Sequence, residues 1–167
     1  MVEEFDLIFS NASLHWVVDH RPVLERIGRS LKPSGRLLAQ MGGKGNAAKV
    51  VGAVEAIAGD AKWSAFFEGF DFPWGFYGPE EYEEWLRQAG LTPERVELAP
   101  KVMIHVDKET FSSWIRASWL PYTQRVPDES RAEFVSSVVE TYLQEHPTSI
   151  DGCVRVRMTR LEVEARR

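Results

Sequence analysis

The fold class that this sequence predicts is an α/β layered domain, and three observations predict it. Two short apolar runs, residues 5–10 (FDLIFS) and 36–41 (RLLAQM), lack the alternation of a half-solvated strand. They suit strands buried on both faces of a parallel sheet. Between them, Val23, Leu24, Ile27 and Leu31 recur at helical spacing, with Glu25, Arg26 and Arg29 on the wet side. A helix joining two strands through short connections crosses over to make a right-handed parallel unit. Helices and strands keep mixing to the end of the 167 residues, in the predicted order β-α-β-(α)-α-β-α-α-β.

Each element has its own signals. The first strand stops at Asn11, where polar and aromatic residues begin (NASLHW). Asp19 is the expected N-cap of the first helix, and Pro22 fits its first turn. Lys32-Pro33-Ser34-Gly35 closes that helix with a turn before the second strand. GGKGN then breaks the chain, and residues 47–58, rich in Ala and Val, read as a helix. Residues 66–77 (FFEGFDFPWGFY) form an aromatic loop. Pro79 opens a helix whose apolar stripe is Tyr82, Trp85, Leu86 and Ala89, with Gly90 at its end. Residues 96–106 read as a strand bent at Pro100. Two helices follow over 108–119 and 128–143, and a long strand over 154–165 ends the chain. The sequence reads as a single domain, 1–167, with a helical insertion at about residues 107–147 ahead of the last strand.

Composition narrows the function. The hydrophobic share of 44% and charged share of 27% describe a globular chain, not a disordered one. A net charge of -5 disfavours a general nucleic-acid binder. Six Trp, nine Phe and four Tyr mostly mean core, with some left to line a pocket for an organic ligand. Cys153 is the single cysteine, so the chain forms no internal disulfide and holds no Cys-rich metal site. That fits a reducing cytosol, and a cytoplasmic location is expected. No stretch approaches the roughly 20 apolar residues of a membrane span, and no secretory signal is expected, since residues 1–6 lack a basic stretch followed by an apolar run.

Three segments carry a resemblance. Residues 5–19 (FDLIFSNASLHWVVD) resemble the fourth strand of class I S-adenosylmethionine-dependent methyltransferases and the loop after it. Residues 31–41 (LKPSGRLLAQM) resemble the turn and fifth strand that follow. SWLPYTQRV at 118–126 and VRMTRLEVEARR at the end resemble the trans-aconitate methyltransferase branch, itself related to enzymes that cap malonyl groups on acyl carrier protein. The resemblance implies part of a Rossmann-like sheet, strands four to seven of the family, with the helical pair inserted. It implies S-adenosylmethionine as cofactor and a small carboxylic acid as methyl acceptor. The family's Gly-rich loop and ribose-holding acid follow strands one and two, and the glycines at 42–45 follow strand five instead. The chain is therefore expected to open just before strand four. Activity of these residues alone is in question, and a non-catalytic binding or dimerisation module is the alternative.

The same resemblance implies the site. Ser10, Asn11, Ala12 and His15 fall where the family meets the methionine end of the cofactor and the transferred methyl. Asn11 also suits a strained turn on its own account. Trp16 covers the cofactor or acceptor, or packs in the core. Trp74 and Tyr77 belong to a substrate lid or simply pack the Pro79 helix. Trp119, Tyr122 and Arg116 sit in the helical pair, where Arg116 offers a fork-shaped donor to a carboxylate or a solvated helix face. Methyl transfer needs alignment more than acid-base chemistry, so no catalytic residue and no metal ligand is expected. Without strands one to three, strand four is an apolar edge. It is expected to pair with a second copy or with an N-terminal fragment.

Overall fold

The computed structural model describes residues 3–167. Its elements are β1 (Phe5–Asn11), α1 (Arg21–Ser30), β2 (Leu31–Gly42), α2 (Ala48–Ala58), α3 (Pro79–Gln88), β3 (Thr92–His105), α4 (Lys108–Ser118), the short α5 (Leu120–Thr123), α6 (Asp128–Glu145) and β4 (Val154–Arg166). Two 3-10 turns, Leu14–Trp16 and Ser64–Phe67, complete the set. The chain divides into two compact units. Unit one comprises Met1–Asn46, Pro73–Lys101 and Met158–Arg167, and unit two comprises Ala47–Phe72 and Val102–Arg157.

Unit one is built on a four-stranded sheet in the order β1-β2-β4-β3. β1 runs parallel to β2, from Leu7 opposite Arg36 to Asn11 opposite Gln40. The crossover between them is α1, as the strand-helix-strand pattern predicts. β4 lies antiparallel to β2, from Arg36 opposite Arg166 to Gly42 opposite Arg160. The turn read at Lys32-Pro33-Ser34-Gly35 is present as an irregularity inside β2: between the pairs at Phe5 and Leu7 the register jumps from Leu31 to Arg36. Ser34 takes the left-handed φ of 67° that the jump requires.

The core of unit one places Leu24 and Ile27 of α1 and Tyr82 and Leu86 of α3 with Leu37, Ala39 and Met41 of β2 and Leu161, Val163 and Ala165 of β4. Along β2 these residues alternate with more exposed ones. β1 differs: Phe5, Leu7 and Phe9 are 39%, 51% and 65% exposed at the edge of the sheet.

Two local expectations are corrected. Asp19 is not the N-cap residue of α1. His20 holds that position without a side-chain cap bond, while Asp19, one residue earlier, accepts the Arg21 amide at 3.1 Å and the Arg21 guanidinium at 2.8 and 2.9 Å. Trp16 is 46% exposed, which removes the core-packing reading for that ring.

Unit two is helical. α2 and α4 pack on α6. Trp63 meets Phe134 edge-on at 5.4 Å, and Phe67 stacks on the same ring at 5.6 Å. Asp107 caps α4 by accepting the Thr110 amide at 2.7 Å. No helix among the described residues is long and apolar enough to cross a membrane.

Candidate functional site

In open α/β sheets, ligands bind outside the carboxyl ends of the parallel strands. In unit one that place is where β1 and β2 end together, at Asn11 and Gln40. Gln40 Nε2 donates to Asn11 Oδ1 at 2.8 Å, which ties the two side chains. Ala12 leaves the strand through a left-handed φ of 51°, and its N–H donates to the Gln40 carbonyl at 2.8 Å. Ser10 is half-buried just before this corner, and Asn11 and Ala12 are exposed.

The 3-10 turn that follows is pinned by buried Leu14 and carries His15 and Trp16 past the end of β2. The Gly42 N–H donates to His15 Nδ1 at 3.3 Å, and the His15 carbonyl accepts from the Gly75 N–H at 3.0 Å. The His15 ring centroid lies 5.5 Å from that of Trp16 and 6.1 Å from that of Phe76. Trp74 meets Trp16 edge-on at 6.0 Å and lies nearly parallel to Phe76 at 5.8 Å. Trp74 is buried and Tyr77 half-buried, its hydroxyl donating to the Val18 carbonyl. Thus Asn11, His15, Trp16 and Trp74 form one connected neighbourhood, with Tyr77 joined to it through the 17–20 segment.

Two glycines make this packing feasible. A Cβ on Gly42 would stand 2.7 Å from both Asn46 Nδ2 and the Phe76 ring. A Cβ on Gly75 would stand 2.5 Å from His20 Nε2 and from the Val17 carbonyl oxygen. Behind them, His20 is fully buried, with Nδ1 hydrogen-bonded to the Tyr82 hydroxyl at 2.9 Å. Burial holds the His20 imidazolium below its ordinary value, although the Val17 and Leu14 carbonyls work the other way. Burial, and then the charge of His20, also push His15 down. Burial raises the Tyr82 phenol.

The other three residues expected at the site belong to unit two. Trp119 and Tyr122 are buried, at 4% and 3% exposure. The Tyr122 ring meets Phe70 edge-on at 4.7 Å, and Arg125 lies 4.8 Å over the Phe70 centroid. A cleft of about 300 Å³ is lined by Glu55, Phe67, Glu68, Phe70, Phe72 and Tyr122. Burial, with the Glu55 charge, pushes the Tyr122 phenol up to about 12. Arg116 is exposed and makes no ion pair among the described residues, whereas Arg155 is held by Asp151 at 2.7 Å and Arg160 by Glu162. The Glu run at 80–84 serves α3 itself: Glu81 accepts the Gly78 amide at 3.2 Å, and Glu83 pairs with Arg87 at 2.6 Å.

Sequence reasoning missed Gln40, Gly42, Phe76 and the His20–Tyr82 pair. Gln40 carried a signal, as the one uncharged polar side chain in RLLAQM, at its second-last position. The others carried none, because each matters through a partner distant in sequence.

Comparisons with known proteins meet this site. A family model described as a methyltransferase domain matches residues 2–39, which include β1, the 3-10 turn and α1. The chain is 38% identical over 101 residues to an uncharacterized methyltransferase of Schizosaccharomyces pombe, covering 57% of this chain and 38% of that protein. It is 28% identical over 181 residues to the trans-aconitate 2-methyltransferase of Methylobacterium nodulans, covering 97% of this chain and 63% of that one. The chain therefore spans less than two thirds of the length of these relatives. Among solved structures, loganic acid methyltransferase with SAH shares the fold with a TM-score of 0.63 at 14% identity, over 99% of this chain and 62% of that chain.

Proposed function

We propose, from the premise that this chain belongs to the class I S-adenosylmethionine-dependent methyltransferases, that it forms the acceptor-side portion of an enzyme methylating a small carboxylic acid such as trans-aconitate. One observation carries the choice of acceptor: the likeness to a trans-aconitate 2-methyltransferase takes in 97% of the chain, the helical unit included, and does not stop at the sheet. S-adenosylmethionine, when bound, supplies its methyl group as an electrophile on a sulfonium that is already a good leaving group. What remains for the chain is to bind, orient and keep out water.

The corner at the end of β1 fits part of that cofactor's needs. Asn11 and the backbone around Ala12 present polar groups at the end of the sheet, where the family expectation puts the methionine end. Ser10 and His15 flank them. Trp16, with nearly half its surface exposed, is the ring in this neighbourhood that has area to lay over a ligand. Trp74 and Tyr77 position the aromatic loop. Within unit two taken by itself, Arg116 is proposed as a cation for a carboxylate, and Trp119 and Tyr122 are proposed to shape an organic-ligand pocket.

The test incubates the purified chain with methyl-labelled S-adenosylmethionine and a panel of small acids, amines and phenols. The expected product is the methyl ester of a di- or tricarboxylic acid, formed faster than any other. Preferred methylation of an amine or phenol overturns the acceptor assignment, and failure of the demethylated product to bind in calorimetry overturns the cofactor assignment.

A second reading, a non-catalytic binding or dimerisation module, is favoured by one observation. Phe5, Leu7 and Phe9 are exposed apolar side chains on alternate positions of β1, which is the outermost strand of the sheet among the described residues, the kind of edge strand that proteins usually cover. Light scattering separates the two: a stable two-fold dimer with no cofactor binding supports the module.

A further inference from the structure

We infer that His15 is a positioning residue for the methyl acceptor: as a neutral imidazole it donates from Nε2–H to one oxygen of a carboxylate while the other oxygen meets the methyl group. This rests on the proposed carboxylate acceptor and adds the group that orients it.

The tautomer follows from a backbone amide. The Gly42 N–H points at His15 Nδ1 from 3.3 Å, and an N–H donor needs a lone pair to receive it. Nδ1 is therefore unprotonated, and the ring's one proton sits on Nε2. Protonating Nδ1 would set two N–H groups against each other. The ring has little freedom to turn away, since the His15 carbonyl is tied to the Gly75 amide at 3.0 Å and the ring lies between Trp16 and Phe76. Its titratable neighbour is His20. Among the described residues, the Nε2 atoms of His105 and His146 are buried without a partner. His15 is different: it is half-buried, and its Nε2 is not sealed away. Among the described residues that N–H has no acceptor, so it is available to a ligand at the carboxyl ends of β1 and β2.

A neutral donor suits the chemistry. A lone pair on the attacking carboxylate oxygen forms the bond to the methyl carbon, and the methyl–sulfur bond breaks with its electron pair going to sulfur. The carboxylate becomes a neutral ester, the sulfonium becomes a thioether, and no proton moves. A base is therefore not required. A full cation on the same carboxylate would bind it more tightly but would withdraw charge from the attacking oxygen. A single N–H fixes the orientation and leaves more of that charge in place.

The test has two readouts. Long-range ¹H–¹⁵N correlation spectra of the ligand-free chain at pH 7.5 are expected to show His15 with a bare Nδ1 and a protonated Nε2, and adding trans-aconitate is expected to move the Nε2 resonance. An Nδ1–H tautomer, or no movement at saturating acid, overturns the inference. The kinetic readout compares two variants. His15→Gln carries an amide near the Nε2 position, and His15→Asn carries one near the Nδ1 position only. The first is expected to keep KM for the acid within about threefold; the second is expected to raise it by about tenfold or more, the scale of one hydrogen bond to a charged group. Equal KM values in the two variants overturn the role of His15 while leaving the acceptor assignment intact. Wild-type protein that esterifies no small acid, but methylates another nucleophile, overturns the acceptor assignment and this inference with it.

Discussion

β1 and β2 are neighbouring parallel strands of similar apolar content, yet they stand in different surroundings. Leu37, Ala39 and Met41 of β2 are 0%, 6% and 2% exposed, whereas Leu7 and Phe9 of β1 are 51% and 65% exposed. The register sets Ile8 beside Leu37 but Leu7 beside Arg36 and Phe9 beside Leu38, so Leu7 and Phe9 stand on the sheet face opposite the core, where Arg36 and Leu38 are also more exposed than Leu37. Hydrophobic character brings a residue to a strand, but stabilisation comes from the neighbours that remove its surface from water, at about 25 cal/mol per Å². The shared feature of the two strands is their carboxyl end, where Asn11, Gln40 and Gly42 assemble the candidate site.

Truncation breaks the comparison most sharply. Leu37→Ala on β2 is expected to cost about 2–5 kcal/mol, the range for emptying a packed core position. The same change at Leu7 is expected to cost well under half of that. Urea denaturation checks both, and equal losses would mean that β1 is buried in solution by another copy or segment.

Gly42→Ala comes next. The added Cβ would press on Asn46 and Phe76 at 2.7 Å, for an expected cost of about 1–3 kcal/mol. In a chain of this size that lowers the melting temperature by roughly 2–4 °C per kcal/mol. Tryptophan fluorescence should shift with it, because Phe76 lies against Trp74.

Acid gives a smaller effect. The pKa values of His15 and His20 are both lowered from 6.5 by burial in the folded chain. Unfolded chains take up protons at those positions first, so stability is complete above about pH 6.5 and falls as pH drops toward the depressed folded values. A melting temperature that declines from pH 7.5 to 5.5, and declines less in His20→Gln, is the expected outcome. The substitution itself lowers stability at neutral pH, because Tyr82 loses its ring partner, so the slope with pH is the quantity to compare.

The smallest effect on stability is expected at the β1 edge. Phe9→Lys should change the unfolding free energy by no more than about 0.5 kcal/mol, as exposed positions usually do. If β1 pairs with a second copy, the same change converts a dimer to a monomer in light scattering. A monomeric wild-type chain removes the self-pairing reading altogether.

The secondary structure was largely legible because its signals are local. Pro79 and Gly90 bracket α3, the 3.6-residue stripe of Val23, Leu24 and Ile27 marks α1, and the apolar runs mark β1 and β2. The N-terminus of α1 falls one residue later than the Asp19 signal suggests: His20 is the N-cap residue, and Asp19 meets the Arg21 amide from one residue further out. The site was legible only in part. Segment 5–19 names Asn11 and His15 as candidates through its family resemblance, and for Trp16 an exposure of 46% argues against core packing. Gln40, Gly42 and Phe76 were not found.

By itself, then, the sequence determined the α/β class, the order of elements, the parallel β1-α1-β2 unit and the absence of any internal disulfide, since each depends on periodicity, turn chemistry or composition along one stretch of chain. Only the tertiary structure decided which apolar residues are covered, that Gln40 holds Asn11, and that the Gly42 amide sets the proton of His15. Those depend on groups 27 to 29 residues apart meeting at the end of two strands. That meeting is governed by register and packing, which no single segment encodes.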